Sequence, residues 1–163
     1  MTQTEPSTEE APASAKTAPA LELLTFRIAD QDYALDIMSV REIRGWTRTT
    51  PLPHAPAYMK GVINLRGTVL PVMDLGVRLG LPAREQTERN VIIVVHHEDA
   101  MTGLLVDAVS DIVTLSADDL QPPPDIGPGG QPAVVRDLSL IDDKMIRILD
   151  LPATIEIAES AAA

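Results

Sequence analysis

Short apolar runs separated by polar turns recur along most of this chain. Residues 21–29, LELLTFRIA, alternate loosely between apolar and polar positions over the length of one strand. The polar residues 30–32 form a turn into YALDI, which predicts a hairpin. Residues 40–46, VREIRGW, predict another strand, whose side chains alternate between two faces.

The middle of the chain combines a proline-rich connection with a second hairpin. The prolines of TPLPHAP, residues 50–56, exclude a regular helix, whereas PAYMKG, residues 56–61, suits one helical turn. The runs GVINL and TVLPVMD predict two strands joined at Arg66-Gly67. Pro71 lies inside the second run and indicates an edge position or a bulge.

The second half of the chain repeats this pattern. NVIIVVHH at residues 90–97 predicts a buried strand, and residues 101–115 are long enough to bend and contribute to two sheets. Residues 121–132, QPPPDIGPGGQP, have the composition of a loop. VVRDLSLI and KMIRILDL predict a last hairpin at Asp142-Asp143, before a short helix at residues 151–159.

This arrangement of elements favours an all-β fold. About eight short strands and no long segment of helical periodicity indicate small barrels or a sandwich. Two similar halves suggest two barrels. Residues 1–20 contain no large aliphatic side chain between Met1 and Ala20, so we expect a disordered acidic Pro/Ala-rich tail before a domain at residues 21–163.

Composition excludes several classes of protein. The 163 residues are 45% hydrophobic but only 2% aromatic, so Val, Ile and Leu must form the core. The net charge of −11 makes nucleic acid a poor partner. The chain has no Cys, no signal peptide and no apolar run of about 18 residues, so we expect a soluble cytoplasmic protein without direct membrane insertion.

A search for catalytic groups finds little. His96 and His97 are neighbours on a predicted strand, so their side chains point to opposite faces and do not share a metal ion. Ser110-Asp111 lacks the flanking pattern of a nucleophile, and the glycines of residues 127–130 lack the Lys-Ser/Thr of a phosphate loop. We therefore expect no enzyme activity, no metal and no cofactor.

Arg66 is the residue that this pattern explains least. It lies between two runs that each favour burial, yet its guanidinium has five donors and a permanent charge. Burial without a carboxylate would cost several kcal/mol. Arg66 is therefore either a free surface residue or paired, and Glu42 is the candidate partner. A recognition surface suits this residue better than a core.

Four segments in order resemble the chemotaxis coupling protein CheW family. They are VREIRG, TPLPHAPAYMKGVINLRGTVLPVMDL, GLLVDAVSDIV and MIRILDL. The resemblance extends from about Leu21 to about Ile157. It implies two interlocked five-stranded SH3-like β-barrels with short helical turns.

The resemblance also implies a function and its partners. Proteins of this family are non-catalytic adaptors that couple the cytoplasmic tips of methyl-accepting chemoreceptors to the histidine kinase CheA, whose regulatory domain has the same fold. They scaffold chemosensory arrays and control kinase activity in signal transduction. The resemblance therefore implies a cytoplasmic protein recruited to membrane-associated receptor arrays, with no cofactor.

Receptor-contacting residues follow from the same resemblance. Carried over position by position, they are Val40, Glu42, Ile43, Gly61, Arg66, Gly103, Val109 and Leu151. The valines and the isoleucine equally suit a hydrophobic core, and the glycines equally suit a need for backbone freedom. Together the residues would form an apolar groove flanked by charge, which suits a helix from a receptor tip.

Two other interpretations remain at this point. The chain has the fold expected of a fragment of the kinase's regulatory domain or of a CheV-type adaptor, but its length leaves no room for a kinase or a receiver domain. A small hydrolase that uses acidic residues is the alternative from a different class.

Overall fold

The computed structural model describes residues 20–124 and 134–155. Residues 1–19 of the predicted tail lie outside this part. So do residues 125–133, which include most of the predicted loop, and residues 156–159 of the predicted final helix.

The described part of the chain consists mainly of β-strands. Its strands are β1 Ala20–Ile28, β2 Gln31–Asp36, β3 Val40–Gly45, β4 Met59–Leu65, β5 Thr68–Asp74, β6 Val91–His97, β7 Ala100–Val106, β8 Ala108–Ser116, β9 Val135–Ile141 and β10 Lys144–Leu149. One helical turn, α1, spans Leu75–Arg78, and residues 151–155 are also helical. Two 3₁₀ turns lie at Ile37–Ser39 and Ala117–Asp119.

The strands form two five-stranded sheets, which confirms the all-β prediction. The first sheet has the order β9-β10-β2-β1-β8, and the second has the order β3-β6-β7-β5-β4. In each sheet the segment after one edge strand forms an isolated bridge to the opposite edge strand: Gln121, after β8, pairs with Leu138 of β9, and Thr50, after β3, pairs with Val62 of β4. We call the two closed sheets the first and the second barrel.

Each barrel contains strands from both halves of the chain. The first barrel combines β1 and β2 with β8, β9 and β10, whereas the second is built from β3 to β7. The predicted bend in residues 101–115 is confirmed. At Asp107 the chain leaves β7 in the second barrel and enters β8 in the first. The two barrels are therefore interlocked.

The two barrels are equivalent strand by strand. In each barrel, one strand of a central antiparallel hairpin pairs in parallel with a second hairpin, and the other strand pairs in antiparallel fashion with an edge strand. The equivalent strands are β1 and β6, β2 and β7, β8 and β3, β9 and β4, and β10 and β5. The register irregularities also match. The pairing shifts by one residue at Ser110 in edge strand β8 and at Arg41 in the equivalent strand β3. It shifts likewise at Arg136 in β9 and at Lys60 in the equivalent strand β4. This register defines pairs of equivalent residues.

Three apolar clusters hold this arrangement together. One fills the first barrel around Leu23 and Ile148, and another fills the second around Leu70 and Ile92. The largest cluster contains residues of both sheets, including Phe26, and lies between the barrels. Burial in this shared cluster couples the two barrels, because neither sheet covers that face alone.

Two local predictions needed correction. Residues 56–61 form only part of the predicted helical turn: the Met59 amide donates to the Pro56 carbonyl over 2.9 Å and closes one turn, but the chain enters β4 at Met59 instead of continuing as a helix. Strand pairing gives this segment more hydrogen bonds than an isolated turn. The Pro71 prediction was partly wrong, because β5 is an inner strand. The ladder between β5 and β7 begins at Val72, so Pro71 does not interrupt it.

Candidate functional site

Arg66 is paired with Glu42 at the side of the second barrel. Its Nη2 donates to Oε1 of Glu42 over 2.5 Å, and the other carboxylate oxygen of Glu42 accepts from Nη1 of Arg44 over 3.4 Å. The side chain of Arg66 is 69% exposed and that of Glu42 is 28% exposed. The predicted pair is therefore confirmed, and it links edge strand β3 to the β4–β5 hairpin.

The turn between β4 and β5 positions Arg66. Arg66 and Gly67 both have positive φ angles, of 50° and 88°. Two consecutive residues of this kind match the twist of a tight β-hairpin. The Gly67 amide donates to Oδ1 of Asn64 over 2.8 Å, which fixes the turn further. The guanidinium is thus presented from a short, well-defined hairpin.

The pair keeps both groups charged. The hydrogen bond from Arg66 lowers the pKa of Glu42 below its ordinary value, and the hydrogen bond to Glu42 raises the pKa of Arg66. Both side chains remain ionised near neutral pH. The site therefore offers a fixed pair of opposite charges to solvent.

Ile43 adds an apolar element next to this pair. It follows Glu42 on β3, is 45% exposed, and lies opposite the fully buried Ile93 of β6. Val40, on the same strand, is half-buried and packs against the cluster between the barrels. The strand β3 is an edge, so this face extends the shared core to the surface. Because successive side chains of a strand point to opposite faces, Ile43 and Glu42 lie on opposite faces of β3, and a partner meets both only at the exposed edge of this strand.

Gly61 supports the site from within. It lies at a bulge with a φ of 137°, and a Cβ there would lie 2.2 Å from the carbonyl oxygen of Thr50. Thr50 forms the bridge that closes the second barrel. Gly61 therefore allows the close backbone approach on which closure depends.

The remaining candidates lie away from this surface. Gly103 is buried, and a Cβ there would lie 2.9 Å from Cγ2 of Ile92. Leu151 is 6% exposed and belongs to the cluster between the barrels, while Val109 is half-buried on β8 of the first barrel. The eight residues do not form one surface. Gly103 and Leu151 affect such a surface through packing, because a partner on the outside does not reach them.

Arg44 is a member of this charged group that the sequence reasoning did not include. The sequence did contain a signal for it: Arg44 lies two residues after Glu42 on β3, so both side chains point to the same face of the strand. The resemblance carried over Val40, Glu42 and Ile43 from the same segment but not Arg44. Arg44 and Arg66 therefore both approach the Glu42 carboxylate.

Two searches of residues 20–124 and 134–155 were negative. In that part of the chain, no three His, Cys, Asp or Glu side chains are grouped to hold a metal ion. No helix in the same ranges has the length and apolar character needed to cross a membrane.

Comparison with known proteins places this geometry in context. The CheW-like domain model matches residues 22–159. A chemotaxis protein CheW of Rhizobium meliloti is 51% identical over 142 residues, which cover 87% of this chain and 92% of the relative. A probable chemotaxis protein CheW of Rhizobium etli has the same identity and coverage. The crystal structure of the scaffolding protein CheW from Thermoanaerobacter tengcongensis superposes with a TM-score of 0.74 at 33% identity, covering 81% of this chain and 90% of that one.

Proposed function

This chain belongs to the CheW family of chemotaxis adaptor and scaffold proteins, and from this premise we propose that it couples chemoreceptor tips to the histidine kinase CheA. It does so as a binding protein, without catalysing a reaction. It acts in the cytoplasm, at membrane-associated receptor arrays. The observation that carries this proposal is the exposed Glu42–Arg66 pair beside Ile43.

The chemistry of the pair suits reversible recognition. One guanidinium donor of Arg66 is directed at Glu42, and the side chain is 69% exposed, so other donors face outward. Because Glu42 already orients the guanidinium, a partner carbonyl or carboxylate meets a positioned donor and little side-chain freedom is lost on binding. Charge of this kind sets specificity and register more than affinity.

The apolar neighbour supplies the other part of the interaction. Ile43 exposes nearly half of its surface at an edge strand, and Val40 packs beneath the same face. An amphipathic helix that lies across the edge of β3 can place an apolar residue on Ile43 at one face of the strand and direct a polar group to Arg66 at the other. We therefore propose that the receptor contact comprises Val40, Glu42, Ile43 and Arg66, with Gly61 maintaining the hairpin behind them.

Kinase stimulation tests the proposal directly. The full chain is mixed with receptor signalling fragments and CheA, and autophosphorylation of the kinase is measured against mixtures that lack the chain. We expect a rise in autophosphorylation that depends on all three proteins. No response at saturating concentrations would rule out coupling.

Matched variants locate the contact. Arg66→Ala should weaken both receptor pull-down and kinase stimulation while leaving the melting midpoint nearly unchanged, because the pair is solvent-exposed. Arg89→Ala, at an exposed position away from the pair, is the control and should retain both. Full activity of Arg66→Ala would remove this residue from the contact.

A further inference from the structure

The second barrel has an open cavity at the end opposite Arg66. Its volume is about 240 Å³. Val72, Ile92 and Leu105 of the interior cluster line it, together with Trp46. Lys60, another lining residue, precedes Arg66 by six positions along β4, which corresponds to about 20 Å of strand. The cavity is therefore separate from the proposed receptor contact.

The first barrel is closed at the equivalent end. There Leu21 pairs with Leu115, and both pack on the interior cluster with Leu120. In the second barrel the equivalent contact joins Trp46 to Asn90, whose carbonyl accepts from the Trp46 amide over 3.1 Å. A polar residue thus replaces a leucine at this end. The opening is a property of the second barrel and not of the shared topology.

Basic residues line this opening. Arg48 and Lys60 border the cavity, and neither forms an ion pair with a carboxylate among the described residues. The chain carries 13 basic and 24 acidic residues, so two cations that line one cavity without an ion pair among the described residues are notable in an acidic protein. An apolar floor with a cationic rim complements an acidic, apolar ligand.

We infer that this cavity binds an acidic peptide segment of a protein partner, which inserts one large apolar side chain and places carboxylates on Arg48 and Lys60. The volume supports a side chain over a free metabolite, since small-molecule sites usually exceed about 300 Å³. Trp46 supplies aromatic contact area for such an anchor. The inference does not depend on receptor coupling, because it uses different residues at a different end of the barrel.

Trp46 makes the binding directly measurable. It is the only tryptophan of the chain, so emission excited at about 295 nm reports on the cavity. The probe is the blocked peptide acetyl-Glu-Glu-Phe-Glu-Glu-amide, titrated into the full chain at low salt. We expect a saturable change in emission. The same peptide with Ala in place of Phe should bind at least about tenfold more weakly, and a Lys-Lys-Phe-Lys-Lys peptide should give no saturable change.

Charge variants test the rim. Arg48→Gln combined with Lys60→Gln should weaken binding of the acidic Phe peptide about tenfold, because two exposed ion pairs are lost. Arg136→Gln combined with Lys144→Gln removes the same charge at exposed positions of the first barrel, which do not line the cavity, and should leave binding unchanged. Melting midpoints of both double variants verify folding.

Three results would overturn the inference. The first is equal binding of the Phe and Ala peptides, which would exclude an apolar anchor. The second is an equal loss of affinity in the two double variants, which would show a non-specific charge effect. The third is a Trp46 emission that depends on protein concentration without peptide, which would assign the cavity to a second copy of the chain.

Discussion

The two barrels have the same strand order and the same register irregularities, yet they differ in the residues at equivalent positions. Glu42 and Arg66 of the second barrel correspond to Asp111 and Asp142 of the first. Arg66 and Asp142 each open a two-residue turn with a φ of 50°. An attractive pair in one barrel thus corresponds to two acidic residues in the other.

Apolar positions show the opposite behaviour. Ile43 of the second barrel corresponds to Ile112 of the first, and both are about half exposed, at 45% and 52%. Leu75 follows Asp74 and Leu151 follows Asp150, and each aspartate caps the helical turn after it. Both leucines belong to the cluster between the barrels. The barrels therefore share the residues that build the fold and differ in the residues that present charge. Function resides in the side chains placed on a common frame.

Substitution of Gly61 should produce the largest difference between the barrels. Gly61→Ala places a Cβ against the Thr50 carbonyl at a strained φ, so we expect the free energy of unfolding to fall by about 3 kcal/mol. Asp137 occupies the equivalent position in the first barrel with a side chain and without a positive φ. Asp137→Ala removes an ion pair to Arg136 but relieves no strain, so it should change stability by less than about 1 kcal/mol. Urea denaturation measures both, and similar losses would contradict the assigned role of Gly61.

Gly103 and Ala34 provide the next comparison. They are equivalent positions in the inner strands β7 and β2. Gly103→Ala should cost about 1 to 2 kcal/mol, because the added Cβ would lie 2.9 Å from Cγ2 of Ile92, a side-chain atom that can partly yield.

The reciprocal change at the equivalent position is the control. Ala34→Gly should cost about 1 kcal/mol through lost packing and greater chain entropy. Thermal and urea unfolding of the two variants tests the pair. A stabilised Gly103→Ala would show that the second barrel has room that the structure does not indicate.

A charge exchange should have a smaller effect. Asp142→Arg gives the first barrel a cation at the position equivalent to Arg66, opposite Asp111. We expect the melting midpoint to rise by about one to two degrees at low salt and the gain to vanish at about 0.5 M NaCl. Asp143→Arg, one residue along the same turn, is the control. Equal gains in both variants would indicate a general reduction of negative charge.

The pH dependence of Glu42 should give the smallest change in stability. The pKa of Glu42 is lowered in the folded protein, so its contribution is present above the ordinary carboxyl pKa and is lost as pH falls through the lowered value. The stability difference between the wild type and Arg66→Ala should therefore shrink as the solution is acidified below the ordinary carboxyl range.

Carboxyl NMR titration measures the same effect directly. In Arg66→Ala the pKa of Glu42 should return toward its ordinary value, because its largest cause of lowering is removed. Arg89→Ala is the control and should leave the titration of Glu42 unchanged. An unshifted titration in Arg66→Ala would mean that the pair is not formed in solution.

Particular residues show where sequence reasoning succeeded. The alternation of VREIRG placed Glu42 and Arg44 on one face, and the tight Arg66-Gly67 turn predicted its hairpin; both are present. Local patterns are reliable here because strand alternation and turn geometry depend on neighbouring residues only. Leu151 shows the limit. Its sequence context suits either a contact or a core, and only packing between barrels reveals that it is buried.

The sequence by itself determined the strands, the turns and the need of Arg66 for a partner, because these depend on local sterics and on the cost of an unpaired charge. Only the tertiary structure decided that β8 joins β1 and that β3 joins β6, so that each barrel takes strands from both halves. It also decided that the second barrel stays open beside Trp46 while the first is closed by leucines. Such features depend on contacts between distant residues, whose pairing is selected by the burial of a shared apolar core.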